Sequence, residues 1–165
     1  MKPALLVLLA LASGAGAATS WEAYLDLPTP QNAARVEAIT CSSAPEDYCF
    51  DLSILQNQML AMDAESFKLA YRLYRTADGG NAEDLGALLA SVIRPHPDFF
   101  LEQVASLDAS CGSFRFSINA PGEEYVDRLT AQEYEIGQRR RALSGVSDPK
   151  LSTVKQRCIA LIEQP

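Results

Sequence analysis

The sequence predicts an all-α domain of about seven to eight helices, arranged as stacked antiparallel pairs or an irregular bundle and closed by two disulfides. Three observations lead there. Apolar residues recur at helical spacing through most of the chain. Proline, glycine and capping residues punctuate those runs at helix-like intervals. Strand-like alternation occurs only in the short run Phe114, Phe116, Ile118.

The stretch from Asp63 to Leu107 organises the rest. Phe67, Ala70, Tyr71 and Tyr74 fall on one helical face, widened by Leu69 and Leu73. Asp78-Gly79-Gly80 ends that helix, because glycine tolerates the positive φ of a helix terminus. Asn81 is the expected N-cap of the next helix, with Glu83 and Asp84 in its first turn, where the helix dipole favours negative charge. Leu85, Leu88, Leu89, Val92 and Ile93 then mark its buried face. Pro95 forces Arg94 out of helical geometry, and Pro97 opens a third helix that buries Phe100, Val104 and Leu107. The short loop between the first two helices makes them antiparallel neighbours.

This order of helix, short loop, helix, proline turn and helix loosely resembles HEAT-type paired-helix repeats across residues 63–107. No second copy follows at a fixed period. The resemblance implies stacked helical pairs as architecture and names no partner. The remainder of the chain resembles small exported bacterial proteins without an assigned activity.

Residues 1–17 have the order of a secretory signal. Lys2 supplies positive charge, Ala4 to Ala12 an apolar core, and Ala15-Gly16-Ala17 a small-residue cleavage site. That core is too short to span a bilayer, which takes about 20 residues. No cysteine follows it to accept a lipid, so no lipid attachment or membrane anchor is expected. Cleavage leaves a single domain, 18–165, of 148 residues with 13 basic against 21 acidic side chains and a net charge of −8. Such a balance opposes binding to nucleic acid or anionic lipid and suits either plain solubility or a neutral or cationic protein partner. The expected location is periplasmic or secreted.

Within the mature chain, Trp21, Tyr24 and Leu25 form a short amphipathic turn. Thr29 caps a helix opened by Pro30 that turns Ala33, Val36 and Ile39 inward. From Glu46 to Asp78 there is neither glycine nor proline. Tyr48, Leu52, Leu55, Met59, Met62, Ser66, Leu69 and Leu73 alternate at spacings of four and three. One long helix fits this pattern, and so do two helices broken near Met62-Asp63, where polar Ser66 interrupts the seam and Asp63 can cap.

The alternating Phe114, Phe116 and Ile118 lack a pairing partner and read as an extended loop. Asn119-Ala120-Pro121-Gly122 is a turn. Thr130 to Glu133 fits a capping box that opens a helix reaching about Leu143. Asp148 and Pro149 open the last helix, whose apolar face is Leu151, Val154, Cys158, Leu161 and Ile162.

Cys41, Cys49, Cys111 and Cys158 form an even set in an exported chain and allow three disulfide connectivities. Cys41–Cys49 with Cys111–Cys158 is the favoured pairing, because the first pair closes locally and Cys158 faces inward on the last helix. Zinc is the competing explanation, but no C-x-x-C spacing is present.

Few other residues suggest chemistry, and none suggests a cofactor. His96, the sole histidine, could serve as a general base oriented by Asp98 or Glu102. Its place between Pro95 and Pro97 reads instead as a rigid turn. His96-Pro97-Asp98 resembles the loop of J-domain co-chaperones, yet residues 85–93 before it contain no basic side chain. No G-x-S-x-G elbow is present. Glu123-Glu124 reads as solvated turn charge, and Arg139-Arg140-Arg141 as complements to the C-terminal end of their own helix, with Glu135 pairing to Arg139. Phe67, Tyr71 and Tyr74 read as core in preference to a groove. The expected function is a non-enzymatic protein-interaction module. The alternatives are an inhibitor or immunity protein acting on a cell-wall-degrading enzyme, and an enzyme using His96.

Overall fold

The computed structural model describes residues 19–42, 45–119 and 128–162. The leader-like segment 1–17, the Pro121-Gly122 turn and Glu123-Glu124 lie outside these residues. The described residues are helical, with no strand. Ten α segments occur: α1 Ser20–Asp26, α2 Pro30–Arg35, α3 Glu46–Cys49, α4 Ser53–Leu60, α5 Ala64–Thr76, α6 Gly79–Ser91, α7 Pro97–Leu107, α8 Arg115–Asn119, α9 Leu129–Gly145 and α10 Ser152–Ile162. Short 3-10 turns at Gly112–Phe114 and Pro149–Leu151 lead into α8 and α10. Seven of the α segments span seven residues or more. The all-α expectation holds.

Side-chain caps open three of the described α-helices, α1, α2 and α5. Thr19 and Glu22 form a capping box at α1. The Thr19 hydroxyl accepts from the Glu22 amide at 3.2 Å, and the Glu22 carboxylate accepts from the Thr19 amide at 2.7 Å. Thr29 caps α2 with Pro30 at its first position, as the sequence indicates. Asp63 accepts from the Ser66 amide at 2.8 Å and opens α5.

Several boundaries differ from expectation. The glycine- and proline-free run from residue 46 to 78 divides into three helices. Met62, at φ 63°, turns the chain just before the Asp63 cap, as the two-helix alternative has it. A further break at residues 50–52 separates α3 from α4. α6 begins at Gly79 after an Asp78 N-cap, two residues ahead of Asn81, since Gly79 takes φ 50° without strain. α9 starts at Leu129 with Arg128 as N-cap, so Thr130 lies inside the first turn and makes no capping box. The Phe114–Ile118 run is helical, not extended. Phe114 and Ile118 are one turn apart and buried, while Phe116 faces out. In so short a run, alternation and an i, i+4 pair share the same two anchor residues.

α5 is the hub, packed against α2, α4, α6 and α7, with α6 returning antiparallel after the two-residue link Ala77-Asp78. α10 closes the other half against α7, α8 and α9. At the centre Phe67 meets Phe99, Phe100 and Phe114 at ring separations of 5.8, 6.0 and 6.2 Å, and Tyr71 stacks on Phe114 at 4.9 Å. Phe67, Tyr71 and Tyr74 therefore belong to the packing, although the two tyrosines stay partly exposed. Ser66 does not interrupt the core. It is fully buried and shares a 2.9 Å hydrogen bond with the Tyr24 hydroxyl, itself buried beside Trp21.

Both disulfides form, joining Cys41 to Cys49 and Cys111 to Cys158 at Cα separations of 5.9 and 5.3 Å. All four cysteines are consumed, which leaves no thiolate set for zinc. Two formed disulfides fit an oxidising compartment. No described helix is long and apolar enough to cross a membrane.

Candidate interaction surface

α1 and the segment around α3 are bound into one unit, by the first turn of α1 and by its last residue. The Trp21 indole donates from Nε1 to the Cys49 carbonyl at 2.7 Å, inside the core. Glu22, one residue on, is buried and accepts from the Ser42 amide at 3.1 Å and from the Ser42 hydroxyl at 3.0 Å. α1 thus holds the chain on both sides of the Cys41–Cys49 loop, which the disulfide closes. The Cys49 amide donates to Pro45 O at 2.9 Å and the Asp51 amide to Tyr48 O at 3.3 Å, shaping a turn over residues 48–51. The Tyr48 hydroxyl donates back to Asp26 at 3.5 Å, at the end of α1.

This scaffold presents apolar groups to solvent. Tyr48 and Phe50 flank the buried Cys49 and are 38% and 49% exposed, and Leu27, the C-cap of α1, is 61% exposed. Leu27 is held from behind, since its carbonyl accepts from Thr29 N at 2.8 Å and from Asn32 Nδ2 at 2.8 Å. Asp26 precedes Leu27 and Asp51 follows Phe50, so carboxylates border the apolar groups. Partial desolvation, the charge and hydrogen bond of Asp26, and the charge of Asp51 together push the Tyr48 phenol up, and it stays a neutral donor. The Asp51 carboxyl is held low chiefly by the Ser53 amide, which donates to it at 2.9 Å. The four-and-three spacing predicts Tyr48 in a buried seam. The break at residues 50–52 turns it outward instead.

His96 is the N-cap of α7, half-buried, with its amide donating to Val92 O at 3.0 Å and its side chain capping nothing. Neither Asp98 nor Glu102 forms an ion pair or hydrogen bond with it among the described residues. Arg139 pairs with Glu135 as its spacing implies, but the pair is buried. Arg139 satisfies the end of α8 and not that of its own helix, donating to the carbonyls of Ser117 and Ile118 at 3.1 and 3.2 Å. No group of three or more metal-binding side chains converges among the described residues.

One polar constellation escaped the sequence reading. Asp108 accepts from the Ser110 hydroxyl at 2.6 Å and amide at 3.0 Å with one oxygen. With the other it accepts from the Ser113 hydroxyl at 2.7 Å and amide at 2.8 Å. The Tyr71 hydroxyl donates to Ser113 Oγ at 3.0 Å. The Ser110 hydroxyl, then the Ser113 amide and hydroxyl and the Ser110 amide, hold the Asp108 carboxyl well below the usual carboxylate range. A carboxylate so saturated is a poor base for Ser113. Its role is to shape the bend in which Cys111 takes φ 63° and reaches Cys158. The spacing Asp-x-Ser-x-x-Ser is the signal for such an Asx-type turn.

Comparison with protein families, with curated proteins and with solved structures finds no match to this chain.

Proposed function

We propose that the chain is an exported, non-enzymatic helical interaction module whose binding face is built by Leu27, Tyr48 and Phe50. The supporting observation is that these exposed apolar side chains sit on two stretches fixed together by Trp21–Cys49, Tyr48–Asp26 and a disulfide. Isolated surface apolar residues need no explanation, but exposed apolar residues on two stretches locked to each other are the kind of surface a partner covers. Aromatic groups held in place lose little entropy on binding, the property of interface anchors. The leader-like N-terminus and the two disulfides support an extracytoplasmic setting.

The test is affinity capture from periplasmic extract with three forms of the 18–165 chain: wild type, Tyr48→Ser/Phe50→Ser, and His96→Ala. A partner identified by mass spectrometry should be retained by wild type and by His96→Ala. It should be reduced at least about tenfold by the double substitution, as for loss of a hot spot worth more than about 1.4 kcal/mol. Loss of the partner with His96→Ala at an unchanged melting temperature would move the function to His96.

A further inference from the structure

We infer that the occupant of this face is a protein segment bearing an arginine or lysine, whose cationic head docks at Asp26 and Asp51 while its stem lies over Tyr48 and Phe50. The inference rests on the proposed binding face and specifies what that face takes.

Among the described residues Asp26 receives only the long Tyr48 bond, and Asp51 receives the Ser53 amide at 2.9 Å together with the Ser53 hydroxyl. No lysine or arginine among the described residues pairs with either, since the ion pairs join Lys68 to Glu65 and both Arg94 and Arg139 to Glu135. A neutral partner covering Leu27, Tyr48 and Phe50 would desolvate these carboxylates without compensation, which costs free energy. A cationic side chain compensates them and gains from its stem as well, because the methylene chain of lysine or arginine packs on apolar surface. Two electron-rich rings beside two carboxylates add cation–π attraction to the ion pairing. Arginine suits the arrangement best, since its planar guanidinium stacks on a ring while its fork of donors reaches carboxylates. The net charge of −8 on residues 18–165 steers such a segment toward the protein before contact.

The probe is an acetylated and amidated Gly-Arg-Gly peptide, set against the same peptide with neutral, nearly isosteric citrulline. Both are titrated into 15N-labelled protein and followed by amide chemical shifts. The arginine peptide should perturb Asp26, Leu27, Tyr48, Phe50 and Asp51 at concentrations at least tenfold below those the citrulline peptide needs. Asp26→Asn/Asp51→Asn should remove that difference in a chain that still folds, since asparagine still accepts from the Ser53 amide. Equal response to the two peptides, no response, or perturbation centred elsewhere overturns the inference. If it falls while capture of the partner still depends on Tyr48 and Phe50, the binding face stands and only its cation preference is lost. If both fail, the face itself is misassigned.

Discussion

Arg139 donates from Nε to Glu135 Oε1 at 3.2 Å, one turn apart on α9, and both side chains are buried. Arg94, half-exposed before α7, donates to the other Glu135 oxygen at 2.8 Å. Glu135 therefore ties the α6–α7 turn to α9, while Arg139 ties α9 to the C-terminal carbonyls of α8. Removing one member of a buried pair strands the other charge, so Glu135→Ala should cost about 3 kcal/mol. Arg94→Ala, at a half-exposed site, should cost under about 1 kcal/mol. Urea unfolding of the two variants checks the contrast. Equal losses would place the strength in the exposed contact.

A second prediction concerns the crossing of α6 and α8 at Gly86. A Cβ there would lie 2.9 Å from two ring atoms of Phe116, whose exposed side chain can swing aside. Alanine also raises helix stability by about 1 kcal/mol over glycine. Gly86→Ala should thus change stability by less than about 1 kcal/mol in wild type, where the two effects oppose. In a Phe116→Ala background the same substitution should stabilise by up to about 1 kcal/mol. Thermal melts of the four-member cycle separate the terms. A destabilising Gly86→Ala in the Phe116→Ala background would mean that a neighbour other than the ring, such as the Ser117 hydroxyl, sets the approach.

The disulfides differ in what they close. Under the chain-entropy account the eight-residue separation of Cys41–Cys49 is worth about 2.5 kcal/mol and the 47-residue separation of Cys111–Cys158 about 4 kcal/mol. Cys111→Ala/Cys158→Ala should therefore lower stability more than Cys41→Ala/Cys49→Ala. The latter should instead lower capture of the partner, because the Tyr48–Phe50 turn loses its closure. Paired denaturation and capture measurements check both halves. A Cys41/Cys49 variant with undiminished capture would show that Trp21 and Glu22 hold the turn unaided.

These contrasts follow what was and was not legible in the sequence. The faces of α5, α6 and α7, the Thr29 and Asp63 caps, and both cysteine pairings depend on spacing within a segment or on simple closure, and they hold. By contrast, α2 stops at Arg35 short of Val36 and Ile39, and Asp148 caps the 3-10 turn ahead of α10. The misread features depend on distant partners. Ser66 interrupts a seam on paper, yet Tyr24, 42 residues away, satisfies it. Arg139 looks like a surface helix-end charge until α8 brings two carbonyls to it. Tyr48 fits a heptad seam, but the break after α3 turns it to solvent and makes it part of the candidate face. No local pattern encodes that change.

The last prediction tests the Asp108 bend through its pH dependence. The carboxyl is held below its usual range when folded, so its ionised form contributes stability above the unfolded value of about 3.9. That contribution is lost progressively as pH falls below about 4 toward the folded value. Asp108→Asn cannot carry the charge, so it should cost about 1–2 kcal/mol at neutral pH, a lost charged hydrogen-bond set discounted for partial exposure. The gap between wild type and variant should narrow as pH is lowered from 5 to 2, because protonated Asp108 resembles the amide in charge. Other carboxyls titrate in the same window, but their effect is common to both chains and cancels in the difference. Denaturant unfolding at several pH values measures that gap directly. A gap that stays constant down to pH 2 would show that Asp108 holds Ser110 and Ser113 by geometry alone, with its charge immaterial to the bend that brings Cys111 to Cys158.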